Sequence, residues 1–195
     1  MITGLALLAL ASLAWIDGRA YSQGAIVEFE RIRDTVANPG DQEAWSENRK
    51  AEYQAALRQD AGETLAVLRI PSTGIEVPVL DSTSSLALNR GAGHVEGTAL
   101  PGEPGNVAIA AHRDGFFRGL KDIEIGDTVE LITLEGDQSF VVSRVDVVDP
   151  LDVSVLEPTD DRVVTLITCY PFYYVGAAPD RFIVRATLDN QGELR

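Results

Sequence analysis

Hydrophobic and polar positions divide the chain into three stretches with different rhythms. The first runs from Ile2 to Ile16, fifteen residues with one polar pair of small hydroxyl side chains and no charge. As a helix it spans roughly 22 Å at ~1.5 Å per residue, against a hydrocarbon core of about 30 Å. That fits a short signal-anchor, or the apolar core of a signal peptide cleaved near Ser12-Leu13-Ala14. A buried core helix is the third option. No Lys or Arg precedes the run, and Arg19 follows it, so the usual charge bias is missing. A start further upstream accounts for both features.

The second stretch has helical rhythm. Ile26, Phe29, Ile32 and Val36 recur at spacings of three and four, with acids and arginines between them, predicting a helix over Tyr21 to Ala37. Asn38-Pro39-Gly40 breaks it. Asp41 fits an N-cap for a second helix, Gln42 to about Asp60, which Gly62 ends. Residues 21–63 thus read as a helical arm, either a stalk or a cover for one open side of a core.

From Thr64 the rhythm turns to β. Leu65 to Ile70 and Ile75 to Leu80 flank a Ser72-Thr73-Gly74 turn and predict a hairpin. Ser82 to Arg90 reads as a short helix, Val107 to Ala111 as a short strand, and Phe116 to Lys121 as a helical turn. Thr128 to Leu134 and Ser139 to Val148 are strands around Glu135-Gly136-Asp137. Val163 to Thr168 and Arg181 to Leu188 complete the set. Seven or eight short strands with few helices between them predict a mainly β fold, a closed and mostly antiparallel barrel.

Composition narrows the function. At 195 residues, 45% hydrophobic and 24% charged, the chain can bury one ordinary core. Acids outnumber Lys and Arg by 30 to 16, a formal charge of -14. Such a surface repels phosphate backbones, which argues against nucleic-acid binding. One cysteine and two histidines make no zinc set, and no phosphate-binding glycine loop is present. Asp122, Glu124 and Asp127 do not have the spacing of a calcium loop, and a solvated acidic face explains them better.

The single cysteine carries the chemistry. Cys169 closes Thr165-Leu166-Ile167-Thr168-Cys169, where a strand gives way to Tyr170-Pro171. A lone cysteine taken blind is a small buried hydrophobe, but a strand end beside a loop is where scaffolds present reactive groups. A thiol attacks as thiolate and needs a nearby base or cation. His112, after Ile109-Ala110-Ala111, and Arg181, opening Phe182-Ile183-Val184, lie at similar strand ends. Arg185 shares a strand face with Arg181 and is its rival.

These segments resemble sortases. Thr165-Leu166-Ile167-Thr168-Cys169 matches the family's T-L-x-T-C signature without a mismatch. Ala111-His112-Arg113-Asp114 resembles its histidine motif, with Ala111 in place of the leading Gly, and Arg181-Phe182-Ile183-Val184 its final-strand arginine motif. Gly91-Ala92-Gly93-His94 and Thr98 to Asn106 resemble the D and E branches, and the whole pattern is most similar to the marine proteobacterial type. The resemblance spans roughly Thr64 to Leu188.

It implies a cysteine transpeptidase with a catalytic β-barrel over 64–195 and no cofactor. Cys169 is the expected nucleophile, His112 the acid–base and Arg181 the donor to substrate or oxyanion. Thr168, Tyr170 and His94 are further candidates for substrate binding, and the aromatic run Tyr170 to Tyr174 either lines the pocket or pins its loop. The implied partners are a protein with a C-terminal LPXTG-like sorting signal and an amine acceptor. Rival readings are a cysteine endopeptidase using water, and a silent barrel binding a partner at the cell envelope. With residues 1–20 as anchor, the expectation is a single-pass protein of the cell membrane, its domain on the extracytoplasmic, periplasmic side.

Overall fold

A computed structural model describes residues 42–174 and 176–189. Helix α1 (Glu47–Ala56) leads into β1 (Thr64–Ile70) and β2 (Ile75–Leu80). After α2 (Ser85–Arg90) come β3 (Ala92–His94), β4 (Asn106–Ala110), β5 (Thr128–Thr133) and β6 (Gly136–Val148). The last strands are β7 (Val163–Tyr170) and β8 (Asp180–Leu188). The eight strands close into one barrel in the order β1-β2-β3-β4-β7-β8-β6-β5. The expected mainly β barrel is therefore present, antiparallel except where β2 meets β3 and β4 meets β7.

Period-two alternation builds the core. Leu68 and Ile70, Val77 and Val79, Val107 and Ile109, Val129 and Leu131, Val164 and Leu166, and Val184 and Ala186 all face inward in one buried cluster. Their neighbours in sequence face outward. The assignment of each side chain to inside or outside follows from this parity.

The small strand β3, absent from the sequence reading, depends on glycine. A Cβ at Gly91 would lie 2.5 Å from the Pro78 carbonyl oxygen, and one at Gly93 would lie 2.2 Å from that of Ser82. Only glycine lets the backbone approach that closely. Gly93 and His94 then pair with Ala110 and Ile109, which ties β3 to β4.

Helix α1 starts at Glu47 instead of Gln42 because Ser46 caps it, its hydroxyl accepting from the Arg49 amide at 3.2 Å. Asp41, the expected cap, lies outside the described residues, as do the Tyr21–Ala37 helix and the Ile2–Ile16 run. Trp45 and Tyr53 dock α1 on the barrel, both in edge-to-face contact with Phe116, with ring centroids 4.8 and 6.1 Å away.

The single-pass expectation is corrected here. Among the described residues no helix is long and apolar enough to cross a membrane. The ten residues of α1 span only about 15 Å, half a hydrocarbon core, and carry Glu47, Arg49, Lys50 and Glu52.

One buried side chain joins three segments around the parallel strands. Asn106 donates from Nδ2 to the Val155 and Glu157 carbonyls at 3.0 and 3.1 Å, and its Oδ1 accepts from Thr165 Oγ1 at 2.7 Å. It thereby fixes the loop between β6 and β7 against both strands. Asn106→Ala strands these partners in a buried place, which costs about 1–3 kcal/mol. Urea unfolding measures the loss, and hydrogen exchange localises the loosening to residues 153–157.

Candidate active site

Strand topology brings the three candidate groups to one rim. β4 and β7 run parallel with Ala110 level with Ile167, so both chains leave the barrel at the same end. β8 runs antiparallel to β7 and begins there. Cys169 and Arg181 are directly opposite partners, which sets their Cβ atoms about 4.5–5.5 Å apart. Both belong to the outward-facing set, and both are half-buried. Arg185 pairs instead with Thr165, about 13 Å further along the strand at ~3.3 Å per residue. That separates it from the thiol, whereas Arg181 lies directly across from it.

His112 follows β4 directly. The Ala111 amide donates to the Ile167 carbonyl at 3.2 Å, extending the parallel ladder by one bond beyond β4. Thr168 Oγ1 donates to the Ala111 carbonyl at 2.7 Å in a buried place. These two bonds hold the histidine's neighbour against the residues preceding Cys169. Beyond it the chain turns sharply, with the Gly115 and Phe117 amides both donating to the His112 carbonyl, at 3.1 and 3.2 Å.

Burial lowers the His112 pKa from its ordinary value of 6.5, and the nearby Arg49 guanidinium lowers it further. Asp114 and Glu52 oppose the shift. The net effect favours neutral imidazole near pH 7, a form that can accept a proton.

The other expected substrate contacts sit elsewhere. Thr168 is buried and its hydroxyl is used in the bond to Ala111, so it lies beneath the rim instead of on it. His94 is also buried; its Nε2 lies 2.9 Å from the Ala99 carbonyl and 3.1 Å from Thr98 Oγ1. Because Thr98 donates its own proton to the Val95 carbonyl at 2.7 Å, Nε2 carries the hydrogen. This histidine fixes the turn after β3 and does not join Cys169.

Tyr170 stacks on Phe182 at 6.0 Å and meets Phe172 edge-on at 6.0 Å. Phe172 and Phe182 also pack against the barrel core. Of the two options for the aromatic run, this half pins the loop. Tyr173 and Tyr174 remain exposed.

Arg113 is a contact the sequence reading did not single out. Its Nη2 donates to the Tyr174 and Gly176 carbonyls at 2.8 and 3.0 Å, and its guanidinium lies 5.9 Å from the Tyr174 ring centroid. Arg118 lies similarly over Tyr173, at 5.6 Å. The loop behind the thiol is thus fastened to the loop carrying the imidazole.

On the same outer face, a groove of about 100 Å³ lies between β6, β8 and the β6–β7 loop. Val148, Asp152, Thr165, Ile183 and Arg185 are among its walls. Val148 pairs with Arg181, so this groove adjoins the rim. Among the described residues, no group of three or more His, Cys, Asp or Glu side chains could hold a metal ion.

The barrel thus brings a thiol, an imidazole and a guanidinium to one rim. A sequence model of the sortase domain matches residues 68–189. Sortase D of Bacillus subtilis (strain 168) is 32% identical over 136 residues, 69% of each chain. A Clostridium perfringens sortase D5 transpeptidase superposes with a TM-score of 0.61 at 26% identity, covering 82% of this chain and 94% of that one. Sortase C from C. perfringens SM101 does so with 0.61 at 26%, covering 83% and 97%. The chain belongs to the sortase family of cysteine transpeptidases.

The Arg113 fastening is open to direct test. Arg113→Ala removes both carbonyl contacts and the ring contact from an exposed loop, so global stability changes little. Residues 171–179 become the first site of limited proteolysis, and ligation slows because the loop following Cys169 is no longer held.

Proposed function

We propose that Cys169 is the nucleophile of this sortase, His112 its acid–base and Arg181 its oxyanion donor. The observation that carries the reading is the direct cross-strand pairing of Cys169 with Arg181, with His112 entering the same rim from the parallel neighbour β4. The substrate is a protein with a C-terminal LPXTG-like sorting signal, and the acceptor is an amine.

The chemistry proceeds by two transfers. Neutral His112 takes the thiol proton as Cys169 Sγ forms a bond to the threonine carbonyl carbon. The carbonyl oxygen gains the displaced electron pair, and Arg181, always charged and with planar donors, stabilises it. The imidazolium gives its proton to the leaving amine as the C–N bond breaks, leaving a thioester. An incoming amine attacks that carbonyl, His112 takes its proton, and sulfur leaves as the new amide forms, recovering a proton from the imidazolium to restore the thiol and the neutral imidazole.

Cys169→Ala abolishes both cleavage and ligation, since the chain has no other cysteine. His112→Ala lowers kcat/KM by roughly 10²–10⁴-fold, and Arg181→Lys by about 10²-fold, the order of a lost oxyanion donor. Peptides carrying LPXTG-like signals, with and without a small amine, read these outcomes by mass spectrometry. Added amine diverts product from acid to amide in the wild type. Product that stays purely hydrolytic across amines and peptide nucleophiles defeats the transpeptidase reading.

The imidazole also predicts a pH dependence. Because burial and Arg49 depress its pKa, the acid limb of the kcat/KM profile falls below the ordinary histidine midpoint of 6.5. The same shift acts on stability. A base whose folded-state pKa is lowered contributes stability above its unfolded pKa, and this is lost as pH falls from about 6.5 toward the folded value. Denaturation midpoints in the wild type and His112→Gln, measured across that window, check the sign.

A further inference from the structure

Helix α1 contributes a charged side chain to the neighbourhood of the imidazole. Arg49 leaves its first turn and is nearly buried, with 11% of its side chain exposed. Nη2 donates to Asp114 Oδ1 at 3.0 Å, and Nη1 donates to Asn89 Oδ1 at 2.7 Å. Nη1 also lies 2.9 Å from Glu52 Oε2. One guanidinium therefore links α1, α2 and the loop that carries His112.

Gly115 shows how close Arg49 and His112 are. A Cβ built on this glycine would lie 3.5 Å from Arg49 Cδ and 3.6 Å from the His112 Cβ. The arginine stem and the histidine thus flank one point in space, and no side chain stands between them there. Arg49 Nε is buried without a hydrogen-bond partner.

We infer that Arg49 is a positioning residue for the sortase reaction, holding the His112 loop through Asp114 and keeping a fixed positive charge beside the imidazole. The inference rests on the role given to His112 above. It makes the helix preceding the barrel a working part of the site. The charged groups that act on His112 are Arg49 and Glu52 from α1 and Asp114 from its own loop; Arg113, next to it in sequence, turns its guanidinium to the Tyr174 and Gly176 carbonyls, and Arg181 opens β8 at the same rim. Asn89 from α2 is neutral. Arg49 resists protonation of the imidazole while Asp114 and Glu52 promote it.

The test follows the His112 ring by NMR titration in the enzyme, with His94, the chain's other histidine, as internal control. Arg49→Met keeps the stem and removes the charge, so the His112 midpoint moves up. Arg49→Lys keeps a cation and leaves the midpoint near the wild-type value, although the fork to Asn89 and Asp114 is lost and kcat falls. Glu52→Gln, on a residue with 41% of its side chain exposed, moves the midpoint down. A folded Arg49→Met enzyme with an unmoved midpoint overturns the inference. Where Arg49→Met does not fold, Arg49→Gln, which keeps an amide donor toward Asn89 and Asp114, decides: an upward shift supports the inference and no shift overturns it. The acid limb of kcat/KM follows the NMR midpoint across the series. A midpoint that moves while the activity profile stays fixed upholds the coupling and overturns instead the catalytic role of His112.

Discussion

The parallel pairing of β4 with β7 is the constraint on which the site depends. In an antiparallel neighbour, the loop after β4 would leave at the opposite end of the barrel from Cys169. Running parallel, the two strands deliver histidine and cysteine to the same rim, and β8 then starts beside them with Arg181. The bonds from Ala111 to Ile167 and from Thr168 to Ala111 carry this alignment one residue beyond the ladder. Thr168 is thus important to the motif as a buried spacer, since a methyl group in place of its hydroxyl would leave the Ala111 carbonyl unpaired.

Around this rim the protein uses arginines as fasteners. Arg113 ties the loop after β7 to the loop after β4. Arg49 ties that second loop to two helices. Arginine suits both tasks because a planar fork binds two acceptors at fixed angles and stays charged at any working pH. The apolar contacts of Trp45, Tyr53 and Phe116 bring α1 close enough for Arg49 to reach. Hydrophobic burial places the helix, and the guanidinium sets its electrical effect.

Much of this was legible in the sequence because it rests on local patterns. Alternation marked the long strands, and the ends of those strands marked Cys169, His112 and Arg181. The strand β3 escaped notice because three residues with a glycine among them have no visible period; its existence depends on close approach to Pro78 and Ser82. The helix start was misplaced because Asp41 and Ser46 are equally good caps by residue type, and packing of Trp45 selects the second. Thr168 and His94 looked like site residues by motif, but parity and local hydrogen bonds turn them inward. Arg49 was invisible as a site residue, since its partner Asp114 is 65 positions away and no pattern joins them.

The bond from Thr168 to Ala111 spans 57 positions, and β7 and β8 are the last two strands among the described residues. Contacts this distant in sequence form only after the intervening loop entropy has been overcome. A growing or partly folded chain therefore holds its imidazole and its thiol on segments that have not yet met. The thiol and the imidazole come to one rim only when the barrel closes, so completion of the fold and assembly of that rim are one event.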